Sequence, residues 1–336
     1  MHIREHVPFS TLTTFRTGGE ARYVLELENA NEIPDALKFA VSKNLPLIPI
    51  GCGSNLLAPD AELDAVLIRL QTSAITSEKE MSVLTLTVDA GVIWDDLVSY
   101  AVQSGGWGIE NLSAIPGTVG AAVVQNIGAY GAALSESVTS VHVFDTKERM
   151  YKNLTKEECL FGYRTSIFKK EVDRYIAVSV TFSLSVLAIP NLKYRDLSVT
   201  FKDTPIPELS AIRDAVIKIR QGKFPPLDVY GTAGSFFLNP IIADSESSIL
   251  AGTYPEMPLF PLPEGGVKIP LAWILDKALA LKGMRHGHAF LWEQQPLVIT
   301  TEEGAVTKDV IVLASQVSDI VFAKTGIKIS PEVRFL

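Results

Sequence analysis

The chain has 336 residues, of which 47% are hydrophobic and 20% are charged. One hydrophobic core rarely serves so long a chain, so this length predicts two or three domains with sizeable interiors. The formal net charge of −8 argues against sequence-independent nucleic-acid binding, which needs a basic face. No apolar run nears the roughly 20 residues that span a bilayer, so membrane insertion is not expected.

The termini and the cysteines favour a cytoplasmic protein. The chain begins Met-His-Ile-Arg-Glu-His, without the apolar stretch of a signal peptide. Cys52 and Cys159 are far apart and form no Cys-x-x-Cys motif, which argues against a disulfide framework and a zinc cluster. His286 and His288 could suggest a metal pair, but no third ligand lies near them in sequence, so no metal site is predicted.

The first part of the chain alternates strand and helix patterns. Strands are predicted at 21–27, 45–50, 66–70 and 83–88, and helices at 31–43 and 94–104. The segment 105–131 then carries many glycines and small residues with few charges. We interpret it as a buried path that lines a ligand and is too interrupted for a helix; a tightly packed irregular core segment is the alternative.

The second part has longer elements separated by prolines. Strands are predicted at 138–144 and 175–187, and helices at 208–220, 271–279 and 307–324. The segment 221–227 contains two prolines and predicts a hinge between domains, because proline can neither continue a helix nor donate to a sheet. Within the last helix one face is apolar: Val310, Leu313, Val317, Ile320 and Val321.

Two glycine-rich turns could hold a ligand. Gly51-Cys-Gly-Ser-Asn55 follows an apolar strand, and the backbone N–H groups of such a loop can bind a pyrophosphate. It lacks the third glycine of a dinucleotide fingerprint and the lysine of a P-loop, so a simple turn is the alternative. In the second turn, glycines set Ser235 beside Phe236 and Phe237, with Asn239 two residues further on. A hairpin turn that leads into a buried strand is the alternative there.

Basic residues on an acidic protein suggest a compact site for a small anionic ligand. They lie in or beside glycine-rich, proline-rich or aromatic segments: Arg164, Arg220, Lys223, Lys282 and Arg334. Scattered surface cations are the alternative. If 331–336 is a strand, Glu332 and Arg334 share one face, while Val333 and Phe335 share the buried one; a solvated charged edge is the other interpretation.

Six motifs in one order carry a family resemblance. They are Gly51-x-Gly-Ser-Asn55, Ile115-Pro-Gly117, Gln125-Asn-Ile-Gly-Ala-Tyr-Gly131, Phe161-Gly-Tyr-Arg-x-Ser-x-Phe168, Gly234-Ser-Phe-Phe237 and Pro331-Glu-Val-Arg-Phe335. The chain resembles the UDP-N-acetylenolpyruvoylglucosamine reductases, flavoenzymes of bacterial peptidoglycan precursor synthesis, from about Phe15 to its last residue. The segment Leu192-Lys-Tyr-Arg-Asp-Leu197 is similar to the mobile substrate loop of the family's longer, first-type members.

The resemblance implies an α+β fold built of α/β lobes. An FAD-binding domain of the vanillyl-alcohol-oxidase (PCMH) type would have two lobes, 1–68 with 331–336 and 69–222, followed by a C-terminal α/β substrate domain at 223–330. FAD would be bound non-covalently, because the Gly51 loop offers no histidine for attachment. Cys52 is therefore not expected to act as a nucleophile.

The resemblance also implies the chemistry. NADPH reduces the flavin, and the enolpyruvyl sugar nucleotide then accepts a hydride at its vinyl carbon, with charge spreading into the neighbouring carboxylate. Ser235 would be the proton donor, Arg164 the clamp on that carboxylate, and Glu332 its acidic partner. The implied partners are the UDP-sugar and NADPH, and protein partners remain unknown. A flavin oxidoreductase of the same fold with another substrate, or a non-catalytic flavin- or nucleotide-binding protein, are the alternatives.

Two sets of binding residues follow from the resemblance. The implied cofactor-binding residues are Gly51, Cys52, Gly53, Ser54, Asn55, Ile115, Pro116, Gly117, Gly120, Asn126, Gly128 and Arg334. The implied substrate-binding residues are Tyr130, Tyr194, Arg220, Lys223, Asn239, Lys282 and Gln295. Each substrate-binding residue has an ordinary surface role as its alternative.

Overall fold

A computed structural model describes residues 1–263 and 265–336, and these residues form two compact units. The first unit comprises Met1–Val7, Ala21–Cys52 and Asp64–Arg220. The second comprises Pro8–Glu20, Gly53–Leu63 and Gln221–Leu336. Each unit has its own sheets and its own apolar interior.

The strands of the described residues are mostly short. In chain order they are β1 (His2–Pro8), β2 (Glu20–Leu27), β3 (Leu47–Pro49), β4 (Leu56–Leu57), β5 (Leu63–Leu70), β6 (Ile75–Glu80), β7 (Val83–Asp89), β8 (Gly128–Ala129), β9 (Ala132–Ala133), β10 (Val138–Asp145), β11 (Met150–Thr155), β12 (Tyr175–Ser185), β13 (Gly231–Ser235), β14 (Ile241–Ile242), β15 (Phe260–Pro261), β16 (Val267–Lys268), β17 (Arg285–His286), β18 (Ala289–Leu291), β19 (Val298–Thr301) and β20 (Arg334–Phe335).

The α-helices are α1 (Ile33–Lys43), α2 (Trp94–Gln103), α3 (Val119–Gln125), α4 (Ile167–Lys170), α5 (Arg195–Thr200), α6 (Leu209–Lys223), α7 (Asp244–Thr253), α8 (Leu271–Trp273) and α9 (Thr307–Thr325). A π turn, Ile274–Ala278, continues α8. Short 3-10 turns lie at Phe9–Thr11, Ala30–Glu32, Glu110–Leu112 and Leu134–Glu136. Among the described helices, none combines the length and apolar composition that crossing a bilayer requires.

Two sheets organise the first unit. One has the order β1-β2-β5-β3, in which β3 and β5 run parallel, and it packs against the apolar stripe of α1. That stripe is Ile33, Ala36 and Ala40, whose spacing of three and four residues places them on one helical face. The other sheet, β11-β10-β12-β7-β6, is antiparallel and packs against α2 and α3.

The helix α3 corrects the prediction for the segment 105–131. Thr118 begins this helix by accepting the N–H of Ala121 through its hydroxyl at 3.4 Å, and Asn126 ends it in a left-handed conformation with φ of 43°. Val119 and Val123 are fully buried between these ends. Because only seven residues separate the two capping residues, the helix is too short to show an amphipathic pattern in the sequence.

The helix α6 runs further than predicted. It continues through Gly222 to Lys223, although the sequence predicted an end at residue 220. Glycine in a helix costs only about 1 kcal/mol. Pro225, by contrast, disfavours the helical conformation of the residue before it, so the helix ends where the prolines begin. The buried face of α6 carries Leu209, Ile212 and Val216.

The second unit is built around the sheet β13-β19-β18-β17 and the helix α9. The predicted apolar face of α9 is confirmed for Val310, Leu313, Val317 and Val321, which are buried, while Ile320 is half-buried. Smaller sheets, β14-β16-β15 and β20-β4, complete this unit, and β20 pairs with β4 in parallel.

The predicted strand at 331–336 is shorter in the structure. Only Arg334 and Phe335 form strand β20. Val333 is buried as expected, but Phe335 is 47% exposed. The Phe335 ring packs edge-on against Phe236 at 6.3 Å between ring centroids, so a single contact replaces full burial.

A buried carboxylate, that of Asp145, lies at the end of β10. Asp145 is fully buried, and one of its oxygens accepts the N–H groups of Lys147 at 3.0 Å and Glu148 at 3.1 Å. Its other oxygen lies 3.0 Å from Nζ of Lys152 and 3.0 Å from Nη2 of Arg174. Burial alone would raise the pKa of Asp145, but the hydrogen bonds from Arg174, the backbone and Lys152 hold this pKa well below its ordinary value.

We predict that Asp145→Asn lowers the free energy of unfolding near neutral pH by about 1–3 kcal/mol, the usual range for hydrogen bonds to a charged group. A depressed pKa stabilises the fold above the ordinary pKa, and this contribution is lost as the pH falls below about 4. Urea unfolding at several pH values should therefore show the gap between wild type and variant closing in acid. Glu148→Gln is the matched control, because the half-exposed Glu148 pairs with the same two cations and should matter little. A gap that stays constant from pH 7 to pH 3 would contradict the assignment.

Candidate functional site

In the first unit, Arg164 lies at the tip of a tight turn. Gly162 and Thr165 close the turn by exchanging backbone hydrogen bonds of 3.0 and 3.2 Å, and Arg164 adopts a left-handed φ of 53°. Its guanidinium donates to the carbonyl oxygen of Gly128. A Cβ atom at residue 128 would lie 2.8 Å from Nη1 of Arg164 and 3.1 Å from the carbonyl oxygen of Ala132, so glycine leaves room for this approach. The structure thus brings Arg164 and Gly128 together.

Asn126 fixes this turn from the neighbouring segment. Its amide donates to the carbonyl oxygen of Gly162 at 2.8 Å, and its own carbonyl accepts the N–H of Ser135 at 3.1 Å. Asn126 is 5% exposed, so both hydrogen bonds are shielded from water. The predicted cofactor-binding residue Asn126 therefore makes a structural tie to the Arg164 turn.

Two further ties to the same turn were not predicted from the sequence. The hydroxyl of Ser166 donates to the carbonyl of Val124 at 2.7 Å. The ammonium of Lys169 donates to Oε1 of Gln125 at 2.8 Å and to the carbonyl of Arg164 at 3.2 Å. Because most of these acceptors are backbone carbonyls, no pairing of residue types in the sequence could reveal them.

Glycines let backbone segments approach closely between β3 and α3. A Cβ at Gly51 would lie 2.7 Å from Oγ1 of Thr118 and 3.0 Å from Cβ of Ala121. A Cβ at Gly120 would lie 2.9 Å from Cβ of Ala90. Gly51 and Gly120 therefore lie where other residues would force the chain apart.

Two neighbours of these glycines complete the path. Gly117 has a φ of 134°, a conformation that favours glycine, and its carbonyl accepts the N–H of Trp94 at 3.0 Å. Cys52 is half-buried, and burial raises the pKa of its thiol, with Arg69 opposing the rise. This protonated thiol is consistent with the expectation that Cys52 is not a nucleophile.

Tyr130 contacts two other predicted substrate residues, Tyr194 and Arg220. It adopts a φ of 50° and is 7% exposed, and its ring meets that of Tyr194 edge-on at 5.0 Å. Arg220 donates from Nε to the carbonyl of Ala114 at 3.1 Å. Burial lowers the pKa of Arg220, and a hydrogen bond and charge interaction with Tyr130 oppose this effect. Tyr130, Tyr194 and Arg220 thus form one cluster.

A carboxylate missed by the sequence analysis braces this cluster. Asp95 accepts two hydrogen bonds from the guanidinium of Arg213, at 2.7 and 2.8 Å, and a third from the N–H of Ala114 at 2.6 Å. Burial would raise the pKa of Asp95, but these hydrogen bonds hold it below its ordinary value. Arg213 and Arg220 lie two helical turns apart on α6. Arg220 bonds the carbonyl of Ala114 directly, and Arg213 holds Asp95, which accepts the N–H of Ala114. Their spacing of seven residues, which places both on one face of a helix, is the one feature of the sequence that pointed to this arrangement.

In the second unit, Ser235 lies beside the C-terminal segment. A bulge between Thr232 and Ser235 breaks the pairing of β13 with β19, and Gly234 within it has a φ of 74°. The N–H of Glu332 donates to the carbonyl of Phe236, the next residue after Ser235, at 2.7 Å. The structure therefore brings the segments of Ser235 and Glu332 together.

The loop 53–55 joins the same place. Asn55 donates from its amide to the carbonyl of Glu332 at 3.3 Å, and its own carbonyl accepts the N–H of Arg334 at 3.0 Å. Gly53, with a φ of 66°, has no room for a side chain against the backbone of Leu12. Asn55, Glu332 and Arg334 are thus neighbours in the second unit.

Three predicted substrate residues also lie in the second unit. The amide oxygen of Asn239 accepts the N–H of Leu271 at 3.0 Å, and Lys282 forms an ion pair with Asp276 at 2.9 Å. Oε1 of Gln295 is buried without a hydrogen-bond partner among the described residues. Since buried acceptors normally have partners, Gln295 is the best placed of the three to receive a ligand group.

The remaining predicted residues lie in connecting segments or at the end of a helix. Ile115 and Pro116 precede α3, Ser54 lies in the loop before β4, and Lys223 is the last residue of α6. Within residues 1–263 and 265–336, no cluster of three or more His, Cys, Asp or Glu side chains is arranged to hold a metal ion.

Comparison with known proteins gives two domain matches. Residues 21–152 match the model of a FAD binding domain. Residues 225–336 match the model described as UDP-N-acetylenolpyruvoylglucosamine reductase, C-terminal domain.

Relatives match over the full length. The UDP-N-acetylenolpyruvoylglucosamine reductase of Porphyromonas gingivalis is 36% identical over 100% of both chains. That of Neisseria meningitidis serogroup A is 34% identical over 99% of this chain and 97% of its own. The crystal structure of the Thermus caldophilus reductase superposes with a TM-score of 0.70 at 24% identity, covering 99% of each chain.

The predicted fold class, an FAD-binding domain followed by a C-terminal substrate domain, is confirmed by these matches. The predicted family is confirmed as well. The chain belongs to the UDP-N-acetylenolpyruvoylglucosamine reductase family.

Proposed function

We propose that this protein reduces the enolpyruvyl group of UDP-N-acetylglucosamine enolpyruvate to give UDP-N-acetylmuramate, a peptidoglycan precursor. As a member of its family it is an FAD-dependent oxidoreductase that consumes NADPH. We also propose a cytoplasmic location in bacteria, because NADPH and nucleotide sugars are cytoplasmic metabolites. The observation that carries the proposal is the junction of the Ser235 and Glu332 segments through the hydrogen bond between Glu332 and Phe236.

The glycine path of the first unit fits an FAD. A Cβ at Gly51 or Gly120 would crowd Thr118, Ala121 or Ala90, and Gly117 has a φ of 134° that favours glycine. Backbone without side chains can admit the pyrophosphate of a dinucleotide. We propose that these glycines hold the cofactor together with the rest of the predicted set: Cys52, Gly53, Ser54, Asn55, Ile115, Pro116, Asn126, Gly128 and Arg334. When bound, FAD accepts hydride from NADPH and passes it to the substrate.

We propose that Ser235 donates the proton that completes the reduction. A serine hydroxyl is a weak acid, so it serves only where the accepting carbon is strongly basic and well aligned, as an enolate carbon is. Gly234 lies in the bulge with a φ of 74°, and the strand resumes pairing at Ser235, which lies opposite Val298. Glu332, tied to the next residue by its backbone, would support the proton transfer as the acidic partner.

We propose that Arg164 stabilises the negative charge that develops on the substrate carboxylate. A planar guanidinium offers parallel donors that match a carboxylate. Asn126 and Lys169 fix the Arg164 turn through hydrogen bonds within the protein. Groups that are already oriented need little rearrangement as charge develops, which is the source of their effect on rate.

The substrate residues and domain limits extend the proposal. Tyr130, Tyr194, Arg220, Lys223, Asn239, Lys282 and Gln295 would hold the UDP-sugar. Residues 1–68 with 331–336 and 69–222 would form the two lobes of the FAD-binding domain, and 223–330 the substrate domain. The two separate sheets, β1-β2-β5-β3 and β11-β10-β12-β7-β6, support the division of the FAD-binding domain into these two lobes.

Anaerobic stopped-flow absorbance tests the proposed function directly. NADPH should bleach the flavin of the purified protein, and UDP-N-acetylglucosamine enolpyruvate should restore its colour. A flavin that bleaches but is not restored by this substrate would favour an oxidoreductase acting on another substrate or a protein that only binds flavin.

We predict that Ser235→Ala leaves the reduction of the flavin by NADPH nearly unchanged and slows its reoxidation by substrate about 100- to 10,000-fold, the usual cost of losing a positioned acid. The two half-reactions are read separately by stopped flow. Ser248→Ala is the matched control, because the Ser248 hydroxyl bonds only within α7, to Asp244 at 2.9 Å. Normal reoxidation in Ser235→Ala would remove Ser235 from the mechanism.

We predict that Gly51→Ala lowers the FAD content of the purified protein, because the added Cβ would press against Thr118 and Ala121. The ratio of flavin to protein absorbance and the thermal midpoint with added FAD measure the effect. Gly252→Ala is the control, since a Cβ at Gly252 in α7 would meet no atom within 4 Å. Equal flavin content in both variants would argue against a cofactor role for the Gly51 loop.

A further inference from the structure

The segment that carries Tyr194 is fastened to the turn at Tyr130 by hydrogen bonds that the proposed chemistry does not use. Asn191 donates from its side-chain amide to the carbonyl of Gly131 at 2.9 Å. The backbone carbonyl of Asn191 accepts a hydrogen bond of 2.8 Å from the amide of Asn111. The same amide group of Asn111 also donates to the carbonyl of Tyr130 at 2.8 Å.

These hydrogen bonds link two consecutive residues of one turn, Tyr130 and Gly131, to the loop that begins at Asn191. Tyr130 and Gly131 both have left-handed φ angles, 50° and 85°, which point their carbonyls at the two asparagines. Asn111 is 1% exposed and supplies a rigid base, whereas Asn191 is half-buried at the start of the loop. Tyr194 follows three residues later and packs on Tyr130. The loop is therefore attached at its first residue and at its tyrosine.

The attachment is not strong. Both amide hydrogens of Asn111 are used, but its amide oxygen is buried with no partner among the described residues. An unpaired buried acceptor carries a desolvation cost that offsets part of what the donated hydrogen bonds contribute. The side-chain oxygen of Asn191 accepts only a long hydrogen bond of 3.4 Å, from the N–H of Lys193. Such a balance suits a segment that must dock and release.

We propose that Asn191 is a positioning residue, whose side-chain amide holds the 191–197 segment docked so that Tyr194 lies against Tyr130. The role of Tyr194 toward the UDP-sugar rests on the proposed function, whereas the docking itself does not. Loss of the donated hydrogen bond should shift the segment toward its undocked state about 2- to 10-fold, as expected for one neutral hydrogen bond.

Limited trypsin digestion of the holoenzyme reports docking without substrate. Lys193 and Arg195, on either side of Tyr194, are exposed cleavage sites in a segment that must open locally to be cut. Asn191→Asp preserves the shape and the acceptor but cannot donate to Gly131, and Asn191→Ala removes both. Both variants should be cut at these sites about 2- to 10-fold faster than wild type.

Steady-state kinetics give the second measurement. Both variants should raise KM for the enolpyruvyl sugar nucleotide by a similar factor, with little change in the rate of flavin reduction at saturating NADPH. Ser198→Ala is the control next to this segment, because the Ser198 hydroxyl bonds only to the carbonyl of Arg195 at 2.8 Å. It should match wild type in both measurements.

The outcomes separate the two proposals. Wild-type cleavage rates and KM in Asn191→Asp and Asn191→Ala would overturn the role of Asn191. Faster cleavage in a protein that never reoxidises its flavin with the sugar nucleotide would support the docking role and refute the proposed function.

Discussion

The contact between the Arg164 guanidinium and the carbonyl oxygen of Gly128 is the constraint on which the first unit's candidate site depends. A Cβ at residue 128 would lie 2.8 Å from Nη1 of Arg164, so a side chain there would crowd the guanidinium. The carbonyl oxygen is neutral, so this hydrogen bond orients the guanidinium without itself cancelling the positive charge. The left-handed conformation of Arg164 costs energy, and the ties from Asn126 and Lys169 sustain it.

Arg220 and Asp145 show two ways to keep a charge inside a protein. Asp145 is hydrogen-bonded to two cationic side chains and two backbone N–H groups. These partners favour its ionised form, so the carboxylate stabilises the folded state. Arg220 donates to the carbonyl of Ala114, and burial lowers its pKa while Tyr130 and Asp95 oppose this effect. A lowered pKa thus reflects a stabilised charge at Asp145 and a destabilised charge at Arg220.

The sequence predicted most of the long elements and the family, but few of the contacts within the site. Helices such as α2 and α9 bury one face, so their apolar period is visible. Strand β6 was missed because it lies at a sheet edge with five of its six residues exposed, which leaves no alternation to detect. Asp95 and Lys169 were missed because their acceptors and donors are partly backbone groups.

Asparagine recurs in these unpredicted contacts for an electrostatic reason. Asn111, Asn126 and Asn191 each tie two segments by donating to backbone carbonyls. An aspartate could not make these bonds, and a lysine would carry charge into buried positions at a high desolvation cost. A neutral amide adds no net charge near the proposed anion-binding residues. Asp95 is charged, but Arg213 pairs with it through two hydrogen bonds. These asparagines therefore join backbone segments without adding charge, and because their partners are backbone carbonyls they are inconspicuous in the sequence.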